Sequence, residues 1–102
     1  MKSILQERDG RCFLCGKNAG IDPLDIHHVY NAASKKASEK YGLLVYLHHN
    51  QCHIFGKMSV HGNAKVDRRL KAFCQRKAMR HYGWTVSDFI EIFHKNYLEE
   101  EQ

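Results

Sequence analysis

Nine cysteines and histidines stand close together in the first two thirds of this chain: Cys12, Cys15, His27, His28, His48, His49, Cys52, His53 and His61. Cys12-x2-Cys15 offers two thiolates at the spacing of a metal knuckle, which suits tetrahedral zinc. Two further ligands are needed. His48 and Cys52 are the candidates, with His49 as a substitute for His48. A zinc held this way stabilises the fold directly, because its binding free energy is folding free energy.

With His48 in that bracket, His27, His28, His53 and His61 remain. Three neutral imidazoles can hold one divalent ion and leave open positions for water and phosphate. A fourth can serve as a base near neutral pH. Metal-assisted phosphodiester hydrolysis requires this combination. Cys74, on the apolar side of a predicted helix, reads as a core residue. His81 and His94 read as surface residues outside the cluster.

The chain has 102 residues and a formal charge of +5. That length predicts one domain with a modest core, a size at which a metal staple is common. Residues 1–63 are expected to carry the ligand clusters and 64–98 to form a helical extension. No apolar run is long enough for a membrane helix. The N-terminal stretch is broken by charge and does not read as an export signal. A cytoplasmic location follows as an expectation, and there CxxC favours a metal over a structural disulfide.

The elements that must position these residues are short. Lys2–Arg8 is expected as a short helix, Asp9-Gly10 as a turn and Gly16–Gly20 as a loop. Leu24–Tyr30 is a strand candidate that carries His27 and His28. Asn31–Lys40 reads as a loop or weak helix. Gly42–Leu47 is the clearest strand. A short helix is expected from His48 through Cys52 and His53, interrupted by Gly56–Gly62. Ala64–Tyr82 is helical, with Val66, Leu70, Phe73, Cys74 and Tyr82 near one stripe and Gly83 as its stop. A last helix is expected over Ser87–Leu98, capped by Thr85 or Ser87. The two helices are expected to pack antiparallel with Trp84 at the corner. The acidic tail Glu99–Gln102 is expected to fray.

Cys12-x2-Cys15, Leu24-Asp25-Ile26-His27-His28-Val29, Tyr41–Leu47, Cys52-His53 and His61 together resemble the HNH endonucleases. The stretch from Ser38 to His53, and the part downstream to Leu98, look like small phage or prophage members of that family. The resemblance implies an α+β fold: a small ββα-metal (His-Me finger) core with a structural zinc and two C-terminal helices. It implies that His27, His53 and His61 hold a catalytic ion such as Mg2+ or Mn2+, and that His28 is the general base. It implies DNA as the usual substrate, expected double-stranded, with RNA left open, and the host cytoplasm if the protein is phage-encoded. No base-reading motif is evident, so little sequence specificity is expected.

Two positions depart from the family's pattern. His48 stands where the zinc-bracketed members carry cysteine. The asparagine that begins the second strand and orients the base is missing, since that region reads Gly42-Leu43. Asn31, Asn50 and Asn63 are the candidates to replace it, and Asn31 is nearest to the base in sequence. Lys35, Lys36 and Lys57 near the histidines, with Arg68 and Arg69 on the long helix, are candidate phosphate contacts. The rival expectation is a non-catalytic zinc module, derived from an HNH scaffold, that grips nucleic acid or a protein.

Overall fold

The computed structural model describes residues 2–98. It is an α+β fold in the order β1 (Leu24–His28), a 3-10 turn (Ala32–Ser34), α1 (Lys35–Tyr41), β2 (Leu44–His48), a π-helical turn (His49–Ile54), α2 (Ala64–Tyr82) and α3 (Val86–Phe93). The two strands form an antiparallel pair in which His27 faces Val45 and His28 faces Leu44. Among the described residues, no helix is long and apolar enough to cross a membrane. The acidic tail 99–102 lies outside the described residues.

Lys2–Arg8 is not the expected helix. It runs beside β2 and satisfies that strand's outer edge. Ile4 N–H donates to Gly42 O at 2.9 Å, Ser3 Oγ donates to Leu44 O at 2.5 Å, and Tyr46 N–H donates to Gln6 Oε1 at 2.9 Å. An open strand edge is a pairing hazard, and this segment covers it. Gly42 makes the close approach possible. It caps α1 in the left-handed region at φ 72°, and a Cβ there would lie 2.7 Å from Lys2 O.

The core gathers β1, β2 and the helices around Tyr30, Leu43, Leu47, Cys74, Phe89 and Phe93, all nearly inaccessible. Tyr30 packs its ring on Phe89 and Phe93 at centroid distances of 5.3 and 4.7 Å. Its hydroxyl donates to Lys71 O at 2.5 Å, which ties the end of the hairpin to α2. Ser38, fully buried on α1, bonds both backbone groups of Tyr30. The stretch read as a loop or weak helix is thus a regular helix from Lys35, held by a buried hydroxyl and by Gly42 at its end.

α2 spans the expected Ala64–Tyr82. Asn63 caps it by accepting from the backbone N–H groups of Lys65 and Val66. Leu70 and Cys74 of the expected stripe are buried, whereas Phe73 and Tyr82 stand partly in solvent. Trp84 occupies the corner after α2, stacked on Tyr82 at 4.6 Å. α3 starts with a capping box, Thr85 with Asp88. It is shorter than expected and ends at Phe93, because His94 adopts the left-handed conformation at φ 72°. Gln75 accounts for the turn back. Its buried amide donates to Asn96 Oδ1 and accepts from Tyr97 N–H, both at 2.8 Å. A buried amide strongly favours having its partners, and here that outweighs continued helix.

Candidate metal centres

Cys12 and Cys15 sit on a small hairpin. Arg11 bridges Asn18, and Gly16 N–H closes on Cys12 O at 2.9 Å. Phe13 N–H donates to Tyr46 O at 2.8 Å and fastens this knuckle to β2. His48 ends β2, and Cys52 is one turn later on the π-helical turn. The ligand atoms of Cys12, Cys15, His48 and Cys52 all lie within 4.8 Å of one another, and this cluster could hold a metal ion such as zinc.

The tautomer at His48 suits that role. Its Nε2–H donates to Asn18 O at 2.8 Å, leaving Nδ1 toward the sulfurs, 3.3 Å from Cys15 Sγ and 4.0 Å from Cys52 Sγ. A ring nitrogen held by a carbonyl is the usual outer support of a metal-ligating histidine. The same carbonyl raises the His48 pKa, against the opposing effect of burial. Burial pushes the Cys12 thiol up, but backbone N–H groups of Cys15, His48 and Leu14 outweigh it and bring it down to about 7. Burial, together with Cys12 beside it, pushes Cys52 up to about 12. One thiolate forms readily, and a second beside it needs a cation.

The second cluster begins on β1. Asp25 and His27 are two residues apart and so share a face of the strand. Both meet His53. Asp25 Oδ2 accepts from His53 Nδ1 at 2.8 Å and from His49 Nδ1 at 2.6 Å. The His27 and His53 rings are 5.0 Å apart between centroids. Cys52 and His53 are adjacent, and the π-helical turn aims one at each cluster.

His61 reaches the same place by a tight loop. Val60 N–H donates to Cys52 O and His61 N–H to His53 O, each at 2.9 Å. The His53 and His61 rings then stand 4.8 Å apart. Gly56 lets the loop fold back so closely, since a Cβ there would lie 2.0 Å from Gln51 O. This loop is what separates His61 from His53 along the chain.

The ligand atoms of His27, His53 and His61 also lie within 4.8 Å of one another. His27 Nε2 is buried with no hydrogen-bond partner. Burial, and then the charges of His53, His61 and Lys71, push His27 down to about 3. His61 is lowered for the same reasons, burial first. Both rings are neutral at pH 7 and carry a lone pair. His53 has Nδ1 engaged with Asp25, so Nε2 is its remaining nitrogen.

His28 is the last residue of β1. A regular strand would point it away from His27, but here the strand ends, and both histidines line one pocket of about 210 Å³ with Asn31, Lys35, His53 and His61. The ring of His28 is held by Glu39 on α1, with Nε2 2.8 Å from Oε1. Of the candidate asparagines, Asn50 is bonded to Asp22 and Asn63 caps α2. Asn31 lines the pocket and precedes the 3-10 turn.

Glu39 and Asp25 were not among the expected site residues. A signal existed for each. Glu39 is the only acidic residue between Asp25 and Asp67. Asp25 lies two residues before His27, on the same strand face. His49, the alternative to His48 in the thiol bracket and otherwise expected as a solvated or supporting residue, bonds Asp25 beside His53. The candidate phosphate contacts divide. Lys35 lines the histidine pocket, Lys36 and Lys57 are exposed on α1 and the loop, and Arg68 and Arg69 line a separate groove along α2. His81 and His94 are exposed, and Cys74 is buried.

No protein-family model matches the chain, and neither does a curated protein or a solved structure.

Proposed function

We propose that the protein is a metal-dependent endonuclease that hydrolyses DNA phosphodiester bonds, built on an HNH-type ββα core. The observation that carries this reading is the convergence of His27, His53 and His61 in one pocket with a fourth imidazole, His28, held by a carboxylate. The order of parts supports it too: a histidine pair at the end of β1, an antiparallel β2, then His53 on the helical turn that follows.

The donor set fits a divalent ion. His27 Nε2 is buried and lacks a partner, and an unpaired buried nitrogen costs on the order of 1–3 kcal/mol. His27, His53 and His61 would hold the ion and leave coordination positions open. Such an ion, when bound, neutralises charge on the phosphate and the departing oxygen.

The remaining work falls to side chains. His28 takes the proton of the attacking water. Glu39 accepts from its Nε2–H, which fixes the tautomer and leaves Nδ1 to receive that proton. Asp25 orients His53 in the same way. Lys35 in the pocket, with Lys36 and Lys57 nearby, would contact phosphates, so binding would tolerate sequence and weaken with salt. The thiol cluster, closed by four protein ligands, is read as a structural zinc site, and its reduced thiols suit a reducing cytoplasm.

The test is cleavage of supercoiled plasmid with Mg2+, Mn2+ or Ni2+, run beside His28→Ala. Metal-dependent nicking that disappears in the variant supports the enzyme and its base together. No cleavage by the parent with any ion, on plasmid or single-stranded substrate, replaces this reading with the non-catalytic zinc module.

A further inference from the structure

Away from the histidine pocket, α2 and the Cys12–Cys15 knuckle enclose an open groove of about 1160 Å³. Its apolar lining includes Phe13, Leu14 and Phe73, and Leu14 and Phe73 are 38% and 43% exposed. Its charged lining is Lys65, Arg68, Arg69 and Arg76, with no carboxylate. We infer that this groove binds a single-stranded stretch of nucleic acid, with bases against Phe13 and Phe73 and phosphates along the cations of α2.

The composition of the groove argues for unpaired bases. A duplex offers phosphates but hides its base faces, so it would use the cations and leave the aromatic rings idle. Proteins that hold single strands combine a cationic track with aromatic surfaces on which bases stack. Phe13 and Phe73 are neighbours, 6.0 Å between centroids. Lys77 Nζ stands 5.6 Å from the Phe73 centroid. An exposed cation–ring contact is weaker than base stacking, so a base can displace it. Lys65 to Arg76 spans about 16 Å of helix axis. A strand stacked at about 3.4 Å per nucleotide would place about five nucleotides along it.

The groove and the proposed reaction centre are linked through consecutive residues of one turn. Cys52 lines the groove, and His53, the next residue, lines the histidine pocket. A strand lying in the groove would pass over this turn toward His27 and His28. The placement deepens the nuclease reading and rests on it, whereas binding in the groove does not.

The experiment is fluorescence anisotropy of a labelled 12-mer oligothymidylate with the zinc-loaded protein, without Mg2+ or Mn2+, at several salt concentrations. A duplex of equal length and an amphipathic Glu/Leu peptide serve as competitors. Phe73→Leu keeps apolar bulk and removes the ring; it is expected to weaken oligothymidylate binding about tenfold. Lys65→Gln with Arg69→Gln is expected to lower the slope of log K against log salt by about 1.4, the value for two single-strand phosphate contacts. Lys40→Gln, on α1, should leave both unchanged. Circular dichroism confirms that each variant is folded. Equal oligothymidylate affinity in the parent, Phe73→Leu and the double variant overturns the proposal. So does displacement by the peptide but not by unlabelled oligothymidylate, which would make the groove a protein-docking surface. Ring-dependent binding without cleavage of plasmid or single-stranded substrate with any ion sinks the nuclease reading and keeps the groove. Cleavage without ring-dependent binding does the reverse.

Discussion

The two ligand clusters share a peptide bond at Cys52–His53 and differ in almost everything else. The thiol cluster draws its members from both sides of β2, and Cys12, His48 and Cys52 are buried. Its four side chains would fill the positions of a tetrahedral ion and leave none for a substrate. The imidazole cluster has three members, one of them exposed, and opens into a pocket with His28 and Lys35. Carbonyl support marks the first, through Asn18 at His48, while carboxylates mark the second, through Asp25 and Glu39. The difference teaches that ligand type and closure, rather than proximity, separate a closed site from one that a further ligand can enter.

The largest effect that tests this division is expected at the closed site. Cys12→Ala should lower stability by about 3 kcal/mol or more and reduce bound zinc. A thermal midpoint and zinc content equal to the parent's would remove the closed site from the comparison. Next comes His28→Ala, expected to reduce the cleavage rate about 10³-fold while zinc content and thermal midpoint stay as in the parent. If the midpoint falls as far as it does for Cys12→Ala, the two clusters are not separable.

Smaller still is Asp25→Asn. Weaker support of His53 should lower Mn2+ affinity about tenfold or more, measured by calorimetry, with zinc content unchanged. Unaltered Mn2+ affinity would show that the carboxylate is not part of the ion site. The smallest effect concerns Cys74, the cysteine outside both clusters. Burial pushes its thiol up to about 12 from an ordinary value of 9.0. The unfolded chain therefore loses this proton first as pH rises, so the contribution is fully present below pH 9 and declines between 9 and 12. At pH 9.5 the cost is about 1 kcal/mol. Cys74→Ala should flatten that alkaline decline in denaturant titrations, and an unchanged slope would contradict the burial argument.

Much of the site was legible because metal ligands are rare residue types with restricted spacing. Cys12-x2-Cys15 and Cys52-His53 announce themselves, and the Gly42–Leu47 run announces the strand that carries His48. The carboxylates were hidden for the opposite reason. Asp25 and Glu39 are ordinary surface residue types, and their meaning comes from strand parity and from a helix folding back on a strand end. Lys2–Arg8 misled because helix propensity is a local preference, whereas its hydrogen bonds go to a strand about forty residues away. The shortened α3 misled likewise, since the demand of buried Gln75 is invisible in the periodicity of the last helix. The opposed directions expected of His27 and His28 are reconciled by where β1 stops, a boundary that hydrophobic alternation does not mark.

The cover over β2 has a further consequence, one of timing. Ser3 and Gln6 are separated by 41 and 40 residues from their partners on the strand, and Cys15 by 33 from His48. On the ribosome the knuckle therefore exists for a few seconds before its second half is made. During that interval its thiols lack His48 and Cys52, the partners they meet in the finished fold. Once β2 emerges, its edge stays open until the segment carrying Ser3 and Gln6 returns to it. Contacts of such long range form slowly, so Ser3 and Gln6 are among the last residues to settle. A neighbouring nascent chain that offered the same segment during this delay would compete for the same edge.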